Sequence, residues 1–251
     1  MKTIPMIFNQ QMVKALFDGR KTVTRRPVEP WRLPVECNFQ DERYPESKYM
    51  STANNHNRWG FGVFGDTPEA AMENYNGEYS SCAPYNQGDL IWVRETFQAY
   101  CEPEKDYLEV NFKTGKGVTV SYPATDELVE IEDMETGNSS CRKKPSIHMP
   151  RYASRLTLRV TGVRCEQLNN TTNESATKEG INCYQFYPDD GFPLCDGYTH
   201  LPDDGKCALH TSPKEAYKHL WNSIYSNWDE NPWVWVIEFE VVHKNVDEVV
   251  A

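Results

Sequence analysis

Apolar positions in this 251-residue chain gather into a few short periodic segments separated by long polar stretches. Met12, Val13, Leu16 and Phe17 recur at helical spacing, predicting a helix over Gln10–Asp18 that Gly19 stops. Arg20–Arg26, with Thr22, Val23 and Thr24, reads as a turn entering a strand, and Pro27, Pro30 and Pro34 then interrupt regular structure. The unbroken apolar run Leu90-Ile91-Trp92-Val93 follows the turn signal Tyr85–Asp89 and predicts a buried strand, with Arg94, Glu95 and Thr96 at its far end. Leu156, Leu158 and Val160 alternate with Thr157, Arg159 and Thr161, the period of a half-buried strand. The phase shifts at Gly162, where a bulge is expected.

Further along, Thr171-Thr172-Asn173-Glu174 predicts a capping box opening a short helix that continues through Ser175–Glu179 and stops at Gly180. Ser212-Pro213 opens another helix, with Ala216, Tyr217, Leu220, Trp221 and Ile224 as its core-facing stripe. Trp233–Val242 predicts the last strand; Trp233, Trp235, Ile237 and Phe239 share one face, and Val234 and Val236 apolar on the other imply cover on both sides. There is no internal repeat. Strands in three separated places predict one domain, residues 1–251, built as a small barrel or curled sheet. Excursions interrupt it at about 35–85, 98–143 and 182–211, the second with a hairpin near Thr114-Gly115-Lys116-Gly117. A parallel α/β sheet would need more strand–helix alternation.

Composition narrows the function classes. The net charge is −11 and the mean hydropathy −0.71, with no run of about 18–20 apolar residues and no cleavable leader pattern. A cytoplasmic protein of a bacterial or phage-infected cell, with no membrane partner, is expected. Eight cysteines fall at no CxxC spacing, which favours reduced thiols. Cys183, Cys195, Cys207, His200 and His210 share one stretch but lack the half-sites of a zinc centre, so no metal and no cofactor are expected.

Charge is unevenly distributed. Arg142–Arg164 carries seven basic residues and no acid, Arg20–Arg32 five basic residues against Glu29, and Glu102–Glu135 ten acids against three lysines. Two basic segments on an acidic chain point to a local anion site.

Three places carry candidate chemistry. In Gly19–Arg26, a lysine beside a threonine can act as base to a hydroxyl nucleophile, and Arg20, Arg25 and Arg26 supply positive charge around it; phosphate binding is the competing use. Glu179, at a helix C-terminus beside Gly180, faces the negative end of the dipole, a placement suited to acid–base work. Lys144-Pro145-Ser146-Ile147-His148-Met149-Pro150-Arg151 is a proline-bounded loop offering His148 or Arg151 to a substrate, without the acid that would complete a serine-hydrolase arrangement. No GxGxxG, Walker A or HExxH motif is present.

The segments Gly19–Arg26, Gly88–Glu95, Lys144–Arg151, Ala176–Ile181 and Asn231–Phe239, in this order, resemble the ASCH family of PUA-like proteins, especially its large phage and prophage branch. The resemblance implies an α+β fold, a PUA-like small β-barrel with short flanking helices and long loop insertions. It also implies hydrolysis of an amide C–N bond, because small ASCH proteins include N4-acetylcytidine amidohydrolases. Matched onto this chain, their catalytic residues are Lys21, Thr24 and Glu179. Thr24 would attack the acyl carbonyl, Lys21 take its proton and Glu179 handle the proton of the leaving amine, with no cofactor. Arg20, Arg25, Arg26, Arg94, Glu95, His148 and Arg151 are the expected substrate-binding residues, and an N4-acylated cytidine or related nucleoside or nucleotide the expected substrate. The alternative is a non-catalytic module for RNA or single-stranded nucleic acid, with Arg25, Arg26, Arg151 and Arg155 along an open groove.

Overall fold

A computed structural model describes residues 1–37, 48–52, 62–73, 84–100, 111–126, 131–132, 139–140, 143–187, 193–202 and 207–251. Of the positions singled out above, Cys82, Cys101, Cys141, Arg142 and most of the acidic run lie outside the described residues. The elements begin with β1 (Thr3–Ile7), α1 (Gln10–Phe17), β2 (Val23–Pro27), β3 (Val35–Glu36), β4 (Tyr49–Thr52), β5 (Gly62–Gly65) and α2 (Pro68–Glu73). Then come β6 (Leu90–Arg94), β7 (Gln98–Tyr100), β8 (Thr119–Ser121), β9 (Ile131–Glu132), β10 (Ser139–Ser140) and β11 (Thr157–Gln167). The remainder are α3 (Asn173–Thr177), β12 (Asn182–Phe186), β13 (Cys195–Thr199), α4 (Pro213–Ile224), β14 (Trp233–Val242) and α5 (Val246–Val250). This is a mixed α+β chain in which sheets predominate. No helix among the described residues is long and apolar enough to cross a membrane.

The chain forms two compact units. The first comprises Met1–Thr22, Asp89–Arg159 and Glu240–Ala251. Here β1 runs parallel to β6, from Thr3 opposite Leu90 to Ile7 opposite Arg94, and β6 pairs antiparallel with the start of β11. The apolar run of β6 is buried as its sequence requires, and Leu90 and Trp92 pack on Val246 of α5. Asn9 caps α1, accepting from the Met12 N–H at 2.8 Å. Phe97, Met149 and Ala153 form a second apolar cluster under β7 and β8. Asn245 ties the 151–154 segment down: its Nδ2 donates to the carbonyls of Arg151 at 2.9 Å and Ser154 at 2.6 Å.

The second unit comprises Val23–Gly88 and Val160–Phe239. In it β14 lies between β11 and β2 and pairs antiparallel with β2, Ile237 opposite Thr24 and Val236 opposite Arg25. Residues of both β14 faces are buried, Val234, Val236, Trp235 and Ile237 among them, as the double apolar alternation requires. Ser212 caps α4 and Pro213 opens it; Ala216, Tyr217, Leu220 and Trp221 are buried, whereas Ile224 remains 43% exposed.

Several expectations are revised. The closed small barrel is not formed among the described residues: β1 ends the sheet in the first unit and β2 ends it in the second. Pro27, at the close of β2, has no N–H to offer a further strand. The excursions are not uniformly irregular, since β3, β4 and β5 make an antiparallel sheet against α2, and β12 and β13 pair with each other. These strands are too short for a hydrophobic period to announce them. Strand β11 runs from Thr157 to Gln167 through Gly162, where a Cβ would meet Glu238 Oε2 at 3.2 Å. The cap of α3 is Thr172, accepting from the Ser175 N–H, one residue later than the expected box. Helix α3 therefore ends with Lys178 as its C-cap, and Glu179 lies just past it, outside the last turn.

Candidate functional site

In the second unit the site grows from β2. Three of its residues in succession, Val23, Thr24 and Arg25, are buried, because β14 beside it is covered on both faces. Strand alternation sends Arg25 to one face and Thr24 to the other. The Arg25 side chain is 0% exposed, and its guanidinium meets two carboxylates: Nη1 donates to Glu179 Oε1 at 3.0 Å and Nη2 to Glu166 Oε1 at 2.9 Å. Nη2 also donates to Ser175 Oγ, and the guanidinium lies 5.7 Å from the Tyr217 ring centroid. Burial opposes the charge on Arg25, but Glu179, Tyr217 and Glu166 outweigh it and hold the pKa above its ordinary value.

Glu179 is thus fixed from two sides, by Arg25 and by the Tyr217 hydroxyl. Its backbone is set by the end of α3: the Glu179 N–H donates to Ala176 O at 3.0 Å, and Gly180 adopts φ +97°, a conformation that favours glycine. Tyr217 is wholly buried, and burial together with the neighbouring Glu179 charge raises its pKa well above 10. Glu166 reaches outward, where Arg164 Nε donates to its other oxygen at 3.2 Å. Arg26 turns elsewhere, its Nη1 3.4 Å from the Tyr225 hydroxyl.

The first unit holds the remaining candidates. Lys21 directly follows the end of α1, its N–H donating to Ala15 O at 3.0 Å, and its side chain is fully buried. Arg20 pairs with Asp18 at 2.7 Å on the surface. Arg94 donates to the Ile147 carbonyl and lies 5.5 Å from the Trp92 ring. Glu95 is buried, and Arg155 grips it with two bonds of 2.9 and 3.0 Å while its guanidinium lies against Tyr122 and Phe17. Burial raises the Glu95 pKa, and Arg155 acts against the rise. Arg151 bonds Asp247 and Thr3 Oγ1. His148 is exposed.

Arg25 and Arg155 therefore face carboxylates inside their units instead of lining an open groove. Sequence reasoning missed Glu166, Ser175 and Tyr217 as partners of the Arg25–Glu179 pair. Tyr217 sat in an apolar stripe whose core role is also real, so its hydroxyl carried no separate signal.

A histidine trio also occupies the second unit. His200 and His210 each stack near His219, with ring centroids 5.3 and 5.4 Å away. Burial and the two neighbouring rings depress the His200 pKa to about 4. Among the described residues no group of three or more His, Cys, Asp or Glu is arranged to hold a metal ion.

No protein-family model, curated protein or solved structure matches the chain.

Proposed function

We propose that the chain is an amidohydrolase acting on an N4-acylated cytidine or a related modified nucleoside, and that its fold is a PUA-like variant of the ASCH kind with insertions. The Thr24 hydroxyl attacks the acyl carbonyl and gives its proton to Lys21. The C–N bond then breaks, the departing amine taking up the proton that Lys21 received, and water hydrolyses the resulting acyl ester on Thr24. Arg25 and Tyr217 are positioning residues that fix the Glu179 carboxylate.

The observation that carries this reading is burial. Lys21, Thr24 and Glu179, matched from sequence motifs alone, are 0%, 1% and 3% exposed. Lysine and glutamate are almost never fully buried without a specific reason. Burial also favours the neutral form of a lysine, the form that accepts a proton.

The test is hydrolysis of N4-acetylcytidine by the purified protein, followed by chromatography, beside Lys21→Ala, Thr24→Ala and Glu179→Ala. The expected result is turnover by the parent protein and its loss in each variant that retains its circular-dichroism spectrum. Absence of turnover by the parent on N4-acetylcytidine and on other N4-acyl cytidines overturns the reading.

A further inference from the structure

A groove of about 620 Å³ in the first unit lies among Phe97, Phe112, Lys113, Lys144, His148 and Tyr152. It shares no residue with Lys21, Thr24 or Glu179. Its size falls within the range of about 300–1,000 Å³ typical of small-ligand sites. Three basic side chains converge there, and no acid is among the described lining residues, although the chain carries a net charge of −11. Phe112 is 47% exposed, and Lys144 Nζ stands 5.4 Å from its centroid.

The lining is held in place by the backbone. Lys144 and Phe97 exchange two main-chain bonds, of 2.7 and 3.1 Å. Asn111 Oδ1 accepts from the N–H groups of Lys113 and Thr114, shaping the turn that presents Phe112 and Lys113. The Tyr152 hydroxyl donates to Phe112 O at 2.9 Å. Gly115, at φ +80°, lies so close to Tyr152 that a Cβ would come within 2.5 Å of the ring. A site whose side chains are positioned before a ligand arrives loses less freedom on binding it.

A bare anion has no use for an exposed phenyl ring, and an apolar ligand has no use for two lysines and a histidine. A nucleotide brings a planar base and a phosphate together. We propose that this groove binds a nucleotide, free or within a single strand: the base stacks on Phe112, and Lys113, Lys144 and His148 take the phosphate. The proposal is independent of the amidohydrolase reading, and binding can be measured without turnover.

The experiment titrates the full chain, at about 50 mM salt, with cytidine 5′-monophosphate by calorimetry and with a fluorescently labelled ten-nucleotide single-stranded RNA by anisotropy; inorganic phosphate is the control. Saturable binding of either probe is expected, with Phe112→Ala weakening it about tenfold. Lys144→Ala is expected to flatten the salt dependence of strand binding by about one unit of log–log slope. Both probes binding would identify a mononucleotide site, and the RNA alone a site that needs a strand. Both side chains are exposed, so circular dichroism of the variants is expected to match the parent. The proposal is overturned if neither probe binds, if both variants bind like the parent, or if inorganic phosphate competes as well as the nucleotide does.

Discussion

Arg25 and Glu179 form an ion pair of 3.0 Å whose two side chains are 0% and 2% exposed. Such a pair adds little compared with apolar packing of the same volume, but breaking it leaves a charge stranded in the interior. Arg25→Met is therefore expected to destabilise the protein by about 3–5 kcal/mol, and Arg25→Met with Glu179→Gln by less than the sum of the single changes. Urea denaturation of the four proteins closes the cycle; additivity would show that the pair is not coupled.

Tyr217→Phe removes one hydroxyl and keeps the ring. It is expected to cost about 1–3 kcal/mol, because the Glu179 carboxylate loses a buried donor. The raised pKa gives a second readout. Folded Tyr217 stays protonated where an unfolded tyrosine ionises, so its contribution is complete below pH 10 and is lost as pH rises above it. The parent should lose stability above pH 10 more steeply than Tyr217→Phe, which denaturation midpoints across that range will check.

His200 works in the opposite direction. Its pKa lies at about 4 in the folded state against 6.5 ordinarily, so below pH 6.5 the unfolded chain takes up a proton that the folded chain refuses. Stability falls from pH 6.5 down to about pH 4 and levels off below it. The side chain is only partly buried, and solvent screening limits the loss to about 1 kcal/mol. The pH slope of the melting temperature should shrink in His200→Gln.

Gly115→Ala tests the groove wall. The positive φ and the Tyr152 ring both oppose a methyl group, so a loss of about 1–2 kcal/mol is expected. The same change should weaken nucleotide binding by moving the 111–116 turn, whereas Gly19→Ala, where a Cβ meets nothing within 4 Å, should leave binding unaffected.

Where periodicity was long, sequence and structure agree. Helix α1, the apolar β6 run, helix α4 and the doubly apolar β14 all stand where their patterns put them. Capping was legible to within a residue, as Thr172 shows. The short strands β3, β4, β5, β12 and β13 were not visible, because strands of two to five residues complete too few alternations to rise above their polar surroundings. The N-terminal β1 was missed for a different reason: its partner β6 lies 87 residues away, and nothing local announces a parallel pairing. Lys21, Thr24 and Glu179 were legible as residue types at a recognisable spacing. Which groups would hold Glu179 was not, because Glu166 and Tyr217 are brought to it by tertiary folding alone.

The first unit draws on three distant stretches of chain, and this bears on the order in which a ribosome delivers them. β1 emerges before β6 and finds it only after some eighty further residues, and the 151–154 segment receives its Asn245 anchor later still. At the usual pace of about 5–20 residues per second, β1 waits many seconds with its ladder groups unpaired. The second unit holds all its strands by Phe239, while the first needs Asn245. Completion of the first unit is thus deferred until nearly the whole of this sequence has been synthesised, and a nascent chain stalled before residue 245 should remain protease-sensitive around Arg151–Ser154.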